Sequence, residues 1–364
     1  MRALRPEMPL QDHCGTQLTA RNMTDLAADK PVKMKKILSL LLALCMLTGL
    51  AACSAPVRRS RTYTDVFDTV TEFTVYGGTD EAFERAAGAV HEELLRLHRL
   101  FDCHRAYEGV VNLYSLNHAG GETLEIDPDL EAILRLGLEF AEATGGRLNI
   151  GLGGAIALWD ECREAGDRLP AAAALAEAGR HAGLSGLILG EGRARLADPG
   201  LSLNLGALGK GYAAEKAANA AQSLGLTDFA LNLGGNVLTR GRRPDRDWQI
   251  GVEDPFGDGL LTVLSLSGQS AVTSGDYQRY FELDGVRYHH ILDADTLYPA
   301  GLWSAVTVIH ADSAVADALS TALFCLPREE GLALLARYGG CALWVDRAGG
   351  RYESEGFAAY ENKR

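Results

Sequence analysis

The chain has 364 residues, 47% of them hydrophobic and 23% charged, which is enough length for one large globular domain or two small ones. Its formal net charge is -13 and it contains no arginine-rich run. These values argue against nucleic acid as a partner and are typical of a soluble acidic protein.

An export signal is predicted near the N-terminus. Lys35 and Lys36 precede an apolar run, Ile37 to Ala52, of 16 residues. That run is shorter than the roughly 20 residues of a membrane-spanning helix and is typical of a signal peptide. Small residues stand directly before Cys53, as in a lipobox, so we expect cleavage before Cys53 and lipid attachment to it. A plain secretory signal with a chance cysteine is the alternative.

The predicted domain organisation follows from this signal. Residues 1–33 are interpreted as an upstream start extension, because Met34 opens a normal signal. Residues 34–52 form the lipoprotein signal peptide, 53–63 a short polar tether, and 64–364 one functional domain. The mature protein is expected in the cell envelope, anchored by lipid to the outer face of the membrane.

Periodicity predicts alternating helices and strands after the tether. The predicted strands are 65–78, 228–236, a hairpin over 279–293 with Asp284-Gly285 at its turn, 303–311 and 341–346. The predicted helices are 80–102, 127–146, 171–183, 212–224, 313–326 and 328–339. This mixture indicates an α+β fold with a largely antiparallel mixed sheet flanked by helices. The cysteines after Cys53 form no CxxC pair or zinc spacing and are expected to be free, mostly buried thiols.

The segment "LSLNLGALGKGYAAEKAANA" (201–220) passes from a strand-like run into a helix through Gly206, Gly209, Lys210 and Gly211. Such a junction favours close approach of backbone to an anionic ligand. It is neither a P-loop nor a dinucleotide GxGxxG, because the spacing differs from both. A tight packing turn without a ligand is an equal alternative from the residues alone.

Two further motifs carry possible chemistry. Asp317, Ser320 and Thr321 share one face of a predicted helix and offer the hard oxygens that suit Mg²⁺. Helix capping and bonding back to carbonyls are the structural alternative. His289 and His290 are adjacent on a predicted strand, so only one of them can face a given site.

Together these segments resemble the ApbE family of FAD:protein FMN transferases. The resemblance rests on "LNIGLGGAIALW" (148–159), "LNLGALGKGYAAEKAA" (203–218), "TSGDYQRYFELDGVRYHHILDADTLYPA" (273–300) and "DALSTALF" (317–324), in the family's order. It implies a T-fold-like α+β architecture. It also implies binding of FAD and Mg²⁺, transfer of the FMN half of FAD to a threonine or serine hydroxyl of a partner protein, and release of AMP.

The resemblance also implies roles for individual residues. His290 matches the catalytic histidine, whereas His289 matches a non-catalytic position. The implied metal ligands are the Gly209 carbonyl, Asp317 and Thr321, with Ser320 beside them. The implied FAD-binding residues are Phe67, Asn149, Gly206, Lys210, Tyr212 and Ile291.

This chain departs from the family pattern at four positions. Asn149 and Asn204 replace aspartates, which removes two negative charges near a diphosphate and a metal. Gly209 replaces an alanine, a mild change for a carbonyl ligand. Leu297 replaces a turn glycine, so the shape of that turn is open.

Two other functions remain open on the sequence: a Mg²⁺-dependent FAD pyrophosphatase and a flavin-binding lipoprotein without chemistry. The family's acceptor proteins carry a D-x-x-[ST]-G-x-[ST] pattern. The nearest match here is "LSLSGQS" (264–270), with Leu264 in place of Asp. We therefore expect a separate exported acceptor protein and no self-flavinylation.

Overall fold

The structure, a computed structural model, describes residues 56–362; Cys53 and the predicted signal peptide lie outside them. The helices are α1 (Asp80–Phe101), α2 (Leu113–Asn117), α3 (Pro128–Ala143), α4 (Gly153–Ala165), α5 (Ala172–Arg180), α6 (Gly209–Ser223), α7 (Ser313–Cys325) and α8 (Arg328–Tyr338). The strands are β1 (Arg58–Val66), β2 (Thr69–Tyr76), β3 (Leu124–Glu125), β4 (Leu187–Gly190), β5 (Arg193–Leu196), β6 (Phe229–Leu233), β7 (Asn236–Arg240), β8 (Trp248–Glu253), β9 (Leu260–Leu266), β10 (Ser270–Gly275), β11 (Tyr280–Leu283), β12 (Val286–His289), β13 (Trp303–His310), β14 (Cys341–Asp346) and β15 (Arg351–Glu353).

One eight-stranded sheet organises the domain, in the order β1-β2-β6-β7-β10-β13-β14-β15. Every neighbouring pair in it is antiparallel, so the predicted fold class is confirmed. Along β13, Val306 and Val308 join the large core beneath α1, α6 and α7, whereas Ala305 and Ile309 join a smaller core with β8 and β9. Because strand side chains alternate, this sheet is covered on both faces.

The predicted tether over 53–63 is wrong for residues 58–63, which belong to β1. β1 is an edge strand paired only with β2, and most of its side chains are exposed. Exposure on both faces removes the hydrophobic alternation by which strands are recognised. Its arginines pair instead with carboxylates, Arg58 with Glu72 and Arg61 with Glu84.

Helix α6 starts three residues earlier than predicted, at Gly209. Leu208, the residue before it, gives no side-chain cap. The Gly211 N–H donates instead to Asp317 Oδ2 on α7, at 2.8 Å. A cap supplied from 106 residues away leaves no local sequence signal. The segment over 145–159, whose conformation the sequence left open, becomes helical at Gly153.

The turn at Leu297 keeps the shape that a glycine would adopt. Leu297 has a φ of 61°, in the left-handed region, and its carbonyl accepts a hydrogen bond from Trp159 Nε1. Its side chain lies against Gly179, where a Cβ would meet Leu297 Cδ1 at 2.7 Å. Contacts with α4 and α5 therefore hold the leucine in a conformation that costs about 1–2 kcal/mol.

The cysteines of the described residues are free, as predicted. Cys162, Cys325 and Cys341 are buried, and Cys103 is half-buried. No helix among residues 56–362 combines the length and the apolar character that crossing a bilayer requires.

Candidate functional site

A cavity of about 1360 Å³ collects most of the predicted site residues. Ligand pockets usually span about 300–1,000 Å³, so this one can hold more than a single drug-sized molecule. The predicted residues on its wall are Phe67, Asn149, Gly206, Gly209, Lys210, His290, Ile291, Asp317 and Thr321. They come from segments far apart in the chain, which the fold brings together.

The first turn of α6 forms one wall of the cavity. Gly209 and Lys210 line it, while Gly211 faces α7. A Cβ at Gly211 would lie 2.2 Å from the Ser313 carbonyl oxygen, whereas one at Gly209 would meet only the Phe101 and Phe67 rings, at 3.8 and 3.9 Å. The glycine at 211 is therefore required by helix packing, and the one at 209 has room for the family's alanine.

Asp317 is a carboxylate buried at the boundary of α7 and α6. It is 3% exposed, and burial raises the pKa of its carboxyl, although Lys210 and the Gly211 N–H oppose that rise. Burial therefore disfavours the charged form of this carboxyl. A cation in the adjoining cavity would stabilise that charged form.

The residues on this wall fit a magnesium ion. The Asp317 carboxylate, the Thr321 hydroxyl and the backbone at Gly209 supply hard oxygen donors to one cavity. Within residues 56–362, no cluster of three or more His, Cys, Asp or Glu side chains forms a complete metal cage. Mg²⁺ commonly binds through one or two carboxylates and completes its shell with water and substrate phosphates. The single carboxylate and two further oxygen donors on this wall match that mode of coordination.

The two adjacent histidines differ in their surroundings. His289 is 2% exposed, Nε2–H donates to the Ala300 carbonyl at 2.9 Å, and Nδ1 accepts from the Ile291 N–H. His290 follows the last residue of β12 and lines the cavity. His289 therefore holds the backbone beneath the site, and His290 faces the cavity.

His290 is a neutral ring with one nitrogen free to act as an acceptor. Its Nδ1 lies 3.3 Å from the Arg279 carbonyl oxygen, which can only accept, so Nδ1 carries the hydrogen and Nε2 keeps a lone pair. Burial, followed by the nearby cations Lys210 and Arg279, lowers the pKa of His290 to about 3. The ring is therefore neutral at physiological pH.

Phe67 lies at the tip of the β1–β2 hairpin and reaches the cavity. Phe67 and Asp68 have φ values of 53° and 50°, the left-handed conformation of a tight hairpin turn without glycine. The Phe67 N–H donates to His98 Nδ1 on α1 at 3.1 Å. This bond to a helix fixes the aromatic ring at the cavity wall despite the strain.

Both asparagines that replace aspartates line the cavity and close local turns. Asn149 Oδ1 accepts from the Gly151 N–H, and Asn204 Oδ1 accepts from the Gly206 N–H, each at 2.8 Å. An aspartate could accept both bonds. The Asn149 amide also donates to the Ala182 carbonyl at 3.1 Å, which a carboxylate cannot do. This chain therefore uses the amide at 149 to tie two loops together.

Two predicted residues are not brought to the cavity. The Tyr212 hydroxyl donates to Asp129 on α3 and its ring packs on Phe101, because position 212 lies on the side of α6 that faces α1 and α3. Ser320 is fully buried, and its hydroxyl donates to the Asp317 carbonyl behind the cavity wall. Both support the site from outside it.

Other cavity residues were missed by the sequence interpretation. Arg279 lies beside His290, and the β8 residues Ile250 and Gly251 also line the cavity. Asn236 lines the cavity and accepts from Ser313 Oγ. Arg279 belongs to the same predicted hairpin (279–293) as His290, and this proximity could have indicated it. β8 gave no such signal, because nothing in the local sequence marks which strand borders a cavity.

The chain is similar to known proteins over most of its length. The model of the ApbE family matches residues 67–344. An FAD:protein FMN transferase of Treponema pallidum is 33% identical over 81% of this chain and 87% of its own length, and one of Rhodobacter capsulatus is 30% identical over 80% of this chain and 56% of its own. The crystal structure of the ApbE protein of Thermotoga maritima superposes with a TM-score of 0.77 at 29% identity, over 84% of this chain and all of that one. The apo flavinyl transferase ApbE of Pseudomonas stutzeri gives 0.73 at 27% identity, over 85% and 98%.

Proposed function

The chain belongs to the ApbE family and is an FAD:protein FMN transferase; we propose that it moves the FMN half of FAD to a threonine or serine hydroxyl of an exported acceptor protein and releases AMP, with the help of Mg²⁺. One observation carries this proposal. His290, Lys210 and Asp317, from three distant segments, line the same cavity. A base, a cation and a metal-binding carboxylate are the groups that such a phosphoryl transfer needs.

In the proposed reaction His290 acts as general base. The acceptor hydroxyl oxygen forms a bond to the FMN phosphorus, the bond from that phosphorus to the AMP oxygen breaks, and AMP leaves. The hydroxyl proton passes to Nε2 of His290, the ring nitrogen that the Arg279 carbonyl leaves free. Lys210, on the same cavity wall, offsets the negative charge of the diphosphate and of the departing AMP.

Asp317, Thr321 and the Gly209 carbonyl would hold Mg²⁺ in this proposal. The bound ion supplies Lewis-acid stabilisation to the diphosphate. The chain's own part is to fix the donors. Asp317 is held by the Gly211 N–H, and the Thr321 hydroxyl lies 3.3 Å from Ser274 Oγ. These contacts place both donors before any ligand arrives, which lowers the reorganisation needed on binding.

The acceptor is proposed to be a separate protein with a D-x-x-[ST]-G-x-[ST] segment. In this chain the nearest match ends at Ser270, which is fully buried in the sheet. Its hydroxyl cannot reach the cavity without opening β10. Self-flavinylation is therefore not expected, in line with Leu264 standing where the pattern needs an aspartate.

We also propose that the protein acts outside the cytoplasm, carried by the lipoprotein signal and a lipid on Cys53. Support comes from the sequence of residues 34–53 alone. Expression with and without Cys53→Ala, followed by membrane fractionation, tests it. The native protein should sediment with membranes and the variant should be released. Equal distribution of the two would contradict the anchor.

One assay separates the transferase from the other candidates. The purified chain is incubated with FAD, with and without Mg²⁺ and with and without a protein carrying the acceptor pattern. A transferase releases AMP and leaves a fluorescent acceptor band on a denaturing gel only when both are present. AMP without acceptor would identify a pyrophosphatase, and no AMP in any mixture would identify a flavin carrier.

A further inference from the structure

β8 is an edge strand that lines the cavity. It pairs with β9 on one side only, in a two-stranded sheet of its own. Among residues 56–362, no backbone group pairs with its other side. An edge strand of this kind offers a row of free N–H and C=O groups to another chain.

The hydrogen bonds of β9 show which groups of β8 are free. The Ser265 N–H donates to the Tyr360 carbonyl at 2.7 Å, and the Val263 carbonyl accepts from the Asn362 N–H at 2.9 Å. Both residues therefore point their backbone groups away from β8. In an antiparallel pair, when one residue directs its backbone groups away from the partner strand, the residue opposite it does the same. Gln249 is opposite Ser265 and Gly251 is opposite Val263. The N–H and C=O groups of Gln249 and Gly251 therefore point to the open side of β8.

Four residues of β8 line the same cavity as the proposed base. Ile250, Gly251, Val252 and Glu253 line the cavity together with His290. Gly251 is exposed and has no side chain to obstruct the approach of another backbone. The cavity volume also exceeds the usual range for a drug-sized ligand.

We propose that β8 captures the acceptor protein by strand addition: an extended segment next to the acceptor hydroxyl pairs with Gln249 and Gly251 and so directs that hydroxyl toward His290. Main-chain pairing of this type recognises an extended conformation and tolerates different side chains. That suits an enzyme whose partner must present one threonine or serine within a short motif. The inference rests on the proposed transferase function, because a protein substrate must enter this cavity.

Residue-resolved hydrogen exchange tests the pairing. The probe is a synthetic peptide of about 15 residues with one D-x-x-T-G-x-T pattern, added to the full chain with FAD and Mg²⁺. The amides of Gln249 and Gly251 should exchange quickly without the peptide and at least about tenfold more slowly with it, as expected for amides that enter a ladder. Ile250 and Val252, whose amides already face β9, serve as internal controls and should not change.

Unchanged exchange at Gln249 and Gly251 in the presence of saturating peptide would overturn the proposal. So would protection of both amides without peptide in a sample that sedimentation shows to be dimeric, because the edge would then serve pairing of two copies. Flavin on the peptide is measured in the same sample by mass spectrometry. Protection without flavin transfer would contradict the transferase function and leave the docking supported, so the two failures are distinguishable.

A pair of variants gives an independent test by kinetics. Gly251→Pro removes the outward N–H, while Gly259→Pro alters the turn of the same β8–β9 hairpin away from the edge. Loss of one backbone hydrogen bond should raise the KM for the acceptor about tenfold in Gly251→Pro, with little change in kcat. Gly259→Pro should keep the native KM. An equal KM in the two variants, with both shown by circular dichroism to be folded, would contradict the docking role of β8.

Discussion

Replacing Gly211 with alanine is expected to lower the free energy of unfolding by about 3.5 kcal/mol. The new methyl group would lie 2.2 Å from the Ser313 carbonyl oxygen and 2.5 Å from Asp317 Cβ. Both atoms belong to α7 and neither can rotate away, so the cost should reach the upper end, about 3 kcal/mol, of typical overpacking. Separation of α6 from α7 would also weaken the charged hydrogen bond from Gly211 to Asp317, for about 1.5 kcal/mol more. The higher helix propensity of alanine offsets about 1 kcal/mol of this destabilisation.

Gly209→Ala is the matched control for this prediction. Its position lies in the same helix and is also buried, but a methyl there meets only aromatic carbons at 3.8–3.9 Å. Its unfolding free energy should stay within about 1 kcal/mol of the native value, with a gain favoured. Urea unfolding at 25 °C measures both, and thermal midpoints should differ by roughly 5–7 °C, given an unfolding entropy of about 2.1 cal/mol/K per residue over residues 56–362. Equal stability of the two variants would refute the close approach of α6 to α7 at Gly211.

Three further predictions follow from the site. Asp317→Asn keeps an oxygen that can accept the hydrogen bond from the Gly211 N–H but loses the negative charge, so Mg²⁺-dependent AMP release should fall roughly 10²–10³-fold with little loss of stability. Near-native AMP release by this variant would place the metal elsewhere. Because the pKa of His290 is lowered to about 3, the base stays neutral as pH falls, so the transfer rate should hold between pH 7 and 5.5; a histidine with a pKa near 6.5 would lose about tenfold over that range. Asn149→Asp should lower the free energy of unfolding by about 1–3 kcal/mol, because a carboxylate cannot donate to the Ala182 carbonyl, and Asn204→Asp should lower it by less. The reverse order in urea unfolding would contradict this role of the Asn149 amide.

Within residues 56–362, periodicity and turn signals predicted six of the eight α-helices but only four of the eight strands of the central sheet, β2, β6, β13 and β14. The helices at 80–102 and 313–326, and the hairpin with Asp284-Gly285 at its turn, match the structure within a few residues. β1 was missed because an edge strand with both faces exposed has no alternating pattern. The start of α6 was misplaced because its cap, Asp317, comes from a distant helix. Local sequence records local hydrogen bonds, and these two features depend on long-range ones.

The site was predicted from the resemblance, and the structure refines it. Nine of the predicted cofactor, metal and catalytic residues line one cavity, which no spacing rule alone would have united. Tyr212 was assigned to the ligand because the resemblance places it in an FAD-binding segment. On a helix, two residues after Lys210 is about 200° around the axis, so it faces α3 instead. Strand alternation predicted that only one of His289 and His290 faces the site, and the resemblance selected His290, which lines the cavity.

His290 provides the most direct test of the central claim. Flavin transfer is measured in a single turnover at saturating FAD, Mg²⁺ and acceptor protein, for the native chain, His290→Ala and His289→Ala, with FAD affinity measured separately by fluorescence. His290→Ala should transfer flavin roughly 10²–10⁴-fold more slowly and still bind FAD. His289→Ala should lose stability rather than rate, because its ring is buried and bonded to backbone, so rates are compared per folded molecule. Native transfer by His290→Ala, or a defect confined to FAD binding, would contradict its role as the base.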